Sequence, residues 1–146
     1  MVKDYKRTPV RRLANWLMKA LLRLGIKPNT TYLLTVRGRK SGKLYTTPVT
    51  LVEENDQRWL VAPYGEVNWV RNARAAREVT LTRGQRSEIV PIVELSPEAR
   101  APILKKYVNR VPITRAYFDA APDAPVEAFV AEAPRHPVFS IGQAVP

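Results

Sequence analysis

Thr31-Tyr32-Leu33-Leu34-Thr35-Val36-Arg37-Gly38-Arg39-Lys40-Ser41-Gly42-Lys43-Leu44-Tyr45-Thr46-Thr47-Pro48-Val49-Thr50-Leu51-Val52 is two apolar, β-branched runs around a turn. Such runs predict strands, and a Gly-containing connection between them predicts a hairpin. The turn holds Arg37, Arg39, Lys40 and Lys43 among two glycines and a serine. Backbone N–H groups, a hydroxyl and fixed positive charge in one place are the parts of a phosphate or carboxylate cradle. A solvated basic turn is the plainer reading of the same residues. The turn is not a P-loop: it lacks the Gly-x-x-x-x-Gly-Lys-Ser/Thr spacing and leads into a strand. If it binds phosphate, it does so as a hairpin nest helped by Arg39, Lys40 and Lys43.

Outward from this hairpin the pattern stays β-rich. Strands are expected at Thr31–Arg37, Leu44–Glu53, Gln57–Pro63, Glu78–Arg83 and Gln85–Glu94, with a closing strand at Pro137–Ile141. Glu54-Asn55-Asp56 and Arg83-Gly84-Gln85 are hairpin turns. One helix is expected over Glu66–Ala76. Ser96-Pro97-Glu98 opens another, with Ser at the N-cap, Pro in the first turn and an acid near the positive end of the dipole. Pro112 starts a segment carrying Tyr117 and Phe118, and Pro122, Pro125, Pro134 and Pro137 punctuate the C-terminal part of the chain. Short strands with hairpin turns, one inserted helix and a helical tail predict a mostly antiparallel barrel of the α+β class.

The chain has 146 residues, enough for one domain with a real core. It has no cysteine and a single histidine, His136. Disulfides, thiolate zinc sites and cysteine nucleophiles are therefore excluded, a His-rich metal site is not expected, and the composition suits a reducing cytoplasm. Between Tyr5 and Val52 lie eleven cations and no acid, which equals the whole net charge of +11. A field this one-sided favours an anionic partner. Nucleic acid is not expected, because the basic half lacks interleaved aromatics and any known module.

Residues 8–24 predict a basic amphipathic helix, with Val10, Leu13, Leu17, Leu21 and Leu24 at helical spacing and Trp16 widening the apolar side. Residues 1–28 thus form a helical extension and residues 29–146 the barrel domain. Such a helix is a candidate for lying on an anionic membrane, peripherally on the inner face of the cell membrane. The opposing expectation is that it packs on its own domain.

A second stretch stands out: Val61-Ala62-Pro63-Tyr64-Gly65-Glu66-Val67-Asn68-Trp69-Val70-Arg71-Asn72. A strand ends in a small, tight loop and passes into a helix. Gly65 lets backbone approach a ligand, the helix start suits a carbonyl or anion, and Tyr64 could cover a ring. Classical catalysis has little support. His136 sits between Arg135 and Pro137 without a nucleophile elbow. Glu53 and Glu54 are adjacent and expected to be solvated rather than a catalytic pair. An enzyme built this way would take its chemistry from a cofactor.

Taken together, Thr35-Val36-Arg37-Gly38-Arg39-Lys40-Ser41-Gly42, Thr46-Thr47-Pro48-Val49, Val61-Ala62, Tyr64-Gly65, Trp69-Val70-Arg71-Asn72 and Ala75 resemble the deazaflavin-dependent nitroreductase family, also described as coenzyme F420-dependent quinone reductases. The resemblance runs from about Thr31 to Ile141. It implies a split β-barrel of the flavin-reductase, FMN-binding-like type, holding coenzyme F420 (an 8-hydroxy-5-deazaflavin) in preference to FMN. It implies that Arg39, Lys40, Ser41 and Gly42 grip the phosphate and acidic tail, that Thr47, Pro48 and Val49 run beside the ring system, and that Ala62, Pro63, Tyr64 and Gly65 form the loop along it. Trp69 and Asn72 would fix the helix behind. The implied acceptor is a quinone, an enone or a nitro compound. Tyr64, with Tyr107 or Tyr117, would line the substrate side or help protonate the product. No metal is expected, and the protein would act as a monomer or homodimer.

Overall fold

The structure is a computed structural model that describes residues 30–144. The expected helix over residues 8–24, and the division at residue 28, lie outside the described residues. Six strands form a closed, wholly antiparallel barrel: β1 (Thr31–Arg37), β2 (Leu44–Glu54), β3 (Gln57–Val61), β4 (Glu78–Arg83), β5 (Arg86–Glu94) and β6 (Val138–Ile141), in the order β1-β2-β3-β6-β5-β4. Closure leaves no unpaired sheet edge running the length of the barrel. Three helices complete it: α1 (Asn68–Ala76), α2 (Pro97–Arg110) and α3 (Val126–Glu132), with 3-10 turns at Pro112–Tyr117 and Ala133–Arg135.

The barrel is split because its two longest strands change partner midway. Residues 44–50 of β2 pair with β1, and residues 51–54 pair with β3. Residues 86–91 of β5 pair with β4, and residues 92–94 with β6. Over residues 44–50, β2 therefore has a neighbour on one side only. Pro48, which cannot donate to a ladder, is tolerated there.

Alternation along the strands feeds two cores. Leu34, Val36, Leu51, Leu60, Leu81, Val90 and Phe139 point into the barrel. Val52, Val61 and Val138 point the other way, into a second core with Leu104, Tyr107 and Val108 of α2 and Phe129 of α3. Strand segments buried on both faces read as continuous apolar runs, which is how Leu51-Val52 of β2 and Leu60-Val61 of β3 look in the sequence.

The turn chemistry follows expectation. Asn55 and Asp56 both adopt positive φ, as a two-residue primed hairpin requires, and Gly84 does the same between β4 and β5. Ser96 caps α2, its Oγ accepting from Ala99 N at 3.4 Å. Five boundaries differ; β2 runs on to Glu54 and β6 begins at Val138. Strand β3 ends at Val61, although the Ala62 N–H extends the same register by one bond, donating to Pro137 O at 2.9 Å. Helix α1 begins at Asn68 rather than Glu66, since extended Val67 is its N-cap. Strand β5 begins at Arg86. Glu53 and Glu54 are partly exposed but also paired: Tyr32 donates to Glu53 at 3.1 Å, and Lys106 and Arg110 of α2 both donate to Glu54. Glu54, with the Glu53 backbone carbonyl that also accepts from Arg110, ties the barrel to α2. Among the described residues no helix is long and apolar enough to cross a membrane.

Candidate functional site

The basic hairpin folds on itself. Gly38 N–H donates to Lys43 O at 2.6 Å, Gly42 N–H to Gly38 O at 3.0 Å, and Lys43 N–H to Ser41 Oγ at 3.2 Å. Arg37 braces the turn by donating to Gly42 O. Gly42 takes φ +76°. At Gly38 the constraint is space: an added Cβ would lie 2.7 Å from the Tyr45 ring and 3.1 Å from Ser41 Oγ, so a side chain there requires the Tyr45 ring to move.

Asn72 joins this turn to α1. Its Oδ1 accepts from Arg39 N at 3.1 Å and from Arg39 Nη1 at 2.7 Å. Asn72 itself is buried. The guanidinium is thereby held at the helix, while Lys40 and Lys43 make no ion pair among the described residues. Gly38, Arg39, Lys40, Ser41, Tyr45, Asn68, Trp69 and Asn72 enclose a cleft of about 350 Å³. Helix α1 enters it with no side-chain cap and no acid in its first turn. Cations, a hydroxyl and the positive end of a helix are a donor set for anionic oxygen.

A second cleft, of about 360 Å³, opens in the split itself. One wall is the part of β2 that has a neighbour on one side only, with Thr47, Pro48, Val49 and Thr50. The other is Val61 at the end of β3 and the loop after it, with Pro63, Tyr64 and Val67. Tyr107, Val111, Ile113 and Thr114 close the far side, and Thr31 and Trp69 complete it. Trp69 borders both clefts, so a chamber carrying Arg39, Lys40 and Ser41 and a largely apolar one meet at its ring. Trp69 is half-buried, packed on the barrel core 6.4 Å from Phe139.

The tyrosines divide the work. Tyr64 is 55% exposed and meets Tyr117 edge to face, with centroids 4.6 Å apart. Tyr107 is buried, and burial with some help from Tyr64 pushes its hydroxyl well above the ordinary phenol range. Burial and Tyr117 raise Tyr64 as well. Both phenols stay protonated at neutral pH, so each keeps a hydrogen to donate.

The expected site residues fall into three sets. Thr47, Pro48, Val49, Pro63, Tyr64, Trp69 and Tyr107 surround the apolar cleft. Arg39, Lys40, Ser41, Trp69 and Asn72 surround the basic one. Gly42, Lys43, Ala62, Gly65 and Tyr117 line neither: Gly42 and Lys43 shape the turn, Ala62 anchors the loop to Pro137, Gly65 sits at φ +89° against Arg135 O, and Tyr117 backs Tyr64. Sequence reasoning missed Gly38, Tyr45 and Asn68 at the basic cleft and Thr31, Thr50, Val61, Val67, Val111, Ile113 and Thr114 at the apolar one. Tyr45 was within reach of pattern, as the residue two beyond Lys43 that opposes Val36 across the hairpin. Among the described residues no cluster of His, Cys, Asp or Glu could hold a metal ion.

Known proteins agree with this architecture. A protein from Agrobacterium tumefaciens str. C58, Atu2129, described as of unknown function, matches with a TM-score of 0.60 at 16% identity; the match covers 80% of this chain and 49% of that one. This chain thus spans about half the length of the Agrobacterium protein. A structure titled F420-H2 Dependent Reductase (FDR-A) matches with a TM-score of 0.54 at 25% identity, over 80% of this chain and 97% of that one. A third, described as a domain-swapped dimer, has a TM-score of 0.54 at 22% identity, over 88% and 98%. No curated protein matches by sequence. The family model for F420H(2)-dependent quinone reductase matches residues 9–138. With a split barrel, a basic hairpin cradle and an apolar cleft beside it, the chain belongs to the F420H(2)-dependent quinone reductase family, oxidoreductases whose reductant is the reduced deazaflavin coenzyme F420.

Proposed function

We propose that the chain reduces a quinone-type acceptor, with enones and nitro compounds as further candidates, using coenzyme F420 bound across both clefts. The observation that carries this reading is their junction at Trp69, which sets a cationic chamber end to end with a largely apolar one. A planar ring with an acidic tail needs that pairing, and the residues present fit it. Arg39, Lys40 and Ser41 would hold the phosphate and tail, and Thr47, Pro48, Val49, Pro63 and Tyr64 the ring. The bound coenzyme supplies a hydride, which with one proton completes the two-electron reduction of the acceptor. The chain's part is to position, to exclude water and to donate hydrogen bonds. Tyr107, buried at the far wall and with no protein hydrogen bond of its hydroxyl among the described residues, is free to donate to an acceptor oxygen. Tyr64 stands at the mouth over the same space.

The test is a titration with reduced and oxidised coenzyme F420 and with FMN, followed by an acceptor screen. Tighter F420 binding and turnover of a quinone support the reading; equal or tighter FMN binding overturns the coenzyme assignment. Attachment to an anionic membrane through residues 1–28 is part of the same proposal. Eight cations against one acid from Lys3 to Lys27 support it, and a membrane quinone would give it a purpose. Binding of the full chain to anionic vesicles at low salt, and its loss on truncation to residue 29, would test it.

A further inference from the structure

His136 is the chain's single histidine, and the proposed reaction makes no use of it. It is almost fully buried, with its ring stacked on Phe118 at 3.9 Å between centroids and 18° between planes. Its Nδ1 lies 2.9 Å from Pro63 O. A carbonyl can only accept, so Nδ1 carries the hydrogen. The opposite atom, Nε2, is buried without a hydrogen-bond partner, 3.5 Å from Glu132 Oε1.

Glu132 is also buried, and it is a bracket rather than a stray charge. Its carboxylate accepts from the backbone N–H groups of Asp119 at 2.7 Å and Ala120 at 2.5 Å, and from Arg135 Nη2 at 3.4 Å. It thereby holds the segment that carries Phe118 against the imidazole. Arg135 is paired in turn with Asp119. Glu132 and Arg135 are the charged groups acting on His136 among the described residues.

What this assembly holds is the loop after β3. Pro63 has no N–H, so its carbonyl is the one backbone handle at that residue. Its neighbours are registered on the same stretch: Ala62 N–H bonds Pro137 O, and an added Cβ at Gly65 would lie 3.3 Å from Arg135 O. The loop therefore lies along residues 135–137, and His136 is its side-chain clamp.

We propose that His136, braced by the buried Glu132 carboxylate, is a positioning residue that fixes the Pro63 carbonyl and so sets where Tyr64 stands over the apolar cleft. This rests on the reading that the apolar cleft takes the coenzyme ring. A catalytic loop displaced by about 1 Å can cost on the order of a hundredfold in rate, so a clamp remote from the reacting atoms can govern turnover.

The experiment compares His136→Phe, which keeps a ring against Phe118 but removes the donor, with His136→Asn, whose amide can reach Pro63 O from the Nδ1 position. In the coenzyme-loaded protein, kcat should fall by about tenfold or more in the Phe variant and recover most of the way in the Asn variant, with acceptor KM changing less. In the coenzyme-free protein, amide exchange at Tyr64, Gly65 and Val67 should quicken in the Phe variant alone. A folded Phe variant with wild-type exchange and kcat overturns the proposal. So does an Asn variant as impaired as the Phe variant, which would make His136 a packing residue. If the Phe variant does not fold, His136→Gln takes its place, because Gln reaches the Nε2 position and leaves Pro63 O without a donor. Faster loop exchange in a protein whose wild type binds no coenzyme would uphold the clamp and defeat the coenzyme reading.

Discussion

Asn72 Oδ1 accepts two hydrogen bonds from Arg39, one from its backbone N at 3.1 Å and one from its guanidinium at 2.7 Å. One buried amide thus pins the basic turn to α1 and aims a cation at the basic cleft. Asn72→Ala removes both bonds and leaves the Arg39 N–H without its acceptor. Stability should fall by about 1–3 kcal/mol, the range for orphaning a part-buried donor. Coenzyme affinity should fall by about tenfold, as the guanidinium loses its anchor. Thermal melts and a coenzyme titration of the same variant check the two effects; unchanged affinity would place the tail elsewhere.

Lys40 is exposed and makes no ion pair among the described residues, so its charge is available to a ligand. Coenzyme affinity should therefore weaken with added salt, since the screening length shrinks from about 10 Å at 0.1 M to about 3 Å at 1 M. Lys40→Ala should flatten that dependence while shifting the melting point little, because an exposed turn residue contributes within about 0.5 kcal/mol to folding. Titrations at several salt concentrations decide it. A slope identical in wild type and variant would remove Lys40 from the site.

Much of this was legible in the residues before any fold was known. Strand β1 runs from Thr31 to Arg37 as its β-branched pattern demands, and the turns at Asn55-Asp56 and Gly84 declare themselves by residue type. Other features hide because their causes are distant in the chain. Glu54 looks like a solvated turn acid until α2 brings Lys106 and Arg110 to it, more than fifty residues later. Helix α3 is obscured by Pro125 and Pro134 on either side, and seven residues offer too little periodicity to outweigh them; the burial of Phe129 holds it in place. The Arg39–Asn72 contact links two stretches that look separately like a basic turn and a β–α loop. The meeting of the two clefts at Trp69 is likewise a product of closure, invisible in either stretch alone.

Gly38→Ala should alter binding more than folding. The added methyl would meet the edge of the Tyr45 ring at 2.7 Å, and Tyr45 is half exposed, so the ring can swing aside at small cost. That swing changes a wall of the basic cleft. A melting point within a few degrees of wild type and coenzyme affinity reduced by about tenfold are expected. Adding Tyr45→Ala should relieve the clash, so the double variant should bind no worse than Tyr45→Ala alone. Additive losses would mean that Gly38 acts independently of Tyr45.

Tyr107→Phe keeps the buried ring and deletes the hydroxyl of a residue that lines the apolar cleft. If that hydroxyl donates to the acceptor, kcat/KM for a quinone should fall by about tenfold, the worth of roughly 1.4 kcal/mol of hydrogen bonding. Coenzyme affinity should change by less than about twofold. The melting point should hold or rise, since the deleted hydroxyl has no protein partner among the described residues. Steady-state kinetics beside a direct titration separate the effects, and unaltered kcat/KM with several acceptors would dismiss the role.

The dependence of stability on pH should fall in two windows with separate owners. Burial holds the His136 imidazole below its ordinary value of 6.5; the Pro63 carbonyl and Glu132 oppose that shift without overcoming it. The unfolded chain therefore takes up a proton near pH 6.5, and the folded chain only at lower pH. Between those points the unfolded state binds more protons, so stability falls as pH falls. Above pH 6.5 the contribution is fully present. The second window belongs to the carboxylates. Hydrogen bonds from Lys106 and Arg110 hold Glu54 below its usual 4.5, Arg74 does the same for Glu66, and Arg58 for Glu88. Their contribution is present above about pH 4.5 and is lost as pH drops through the lowered folded values. Melting points measured from pH 8 to pH 3 should thus decline first below about 6.5 and again below about 4.5. His136→Asn cannot titrate and should erase the upper decline while leaving the lower one. An upper decline that survives in the Asn variant would have to come from a group other than His136, the single side chain in this sequence whose ordinary pKa lies in that window.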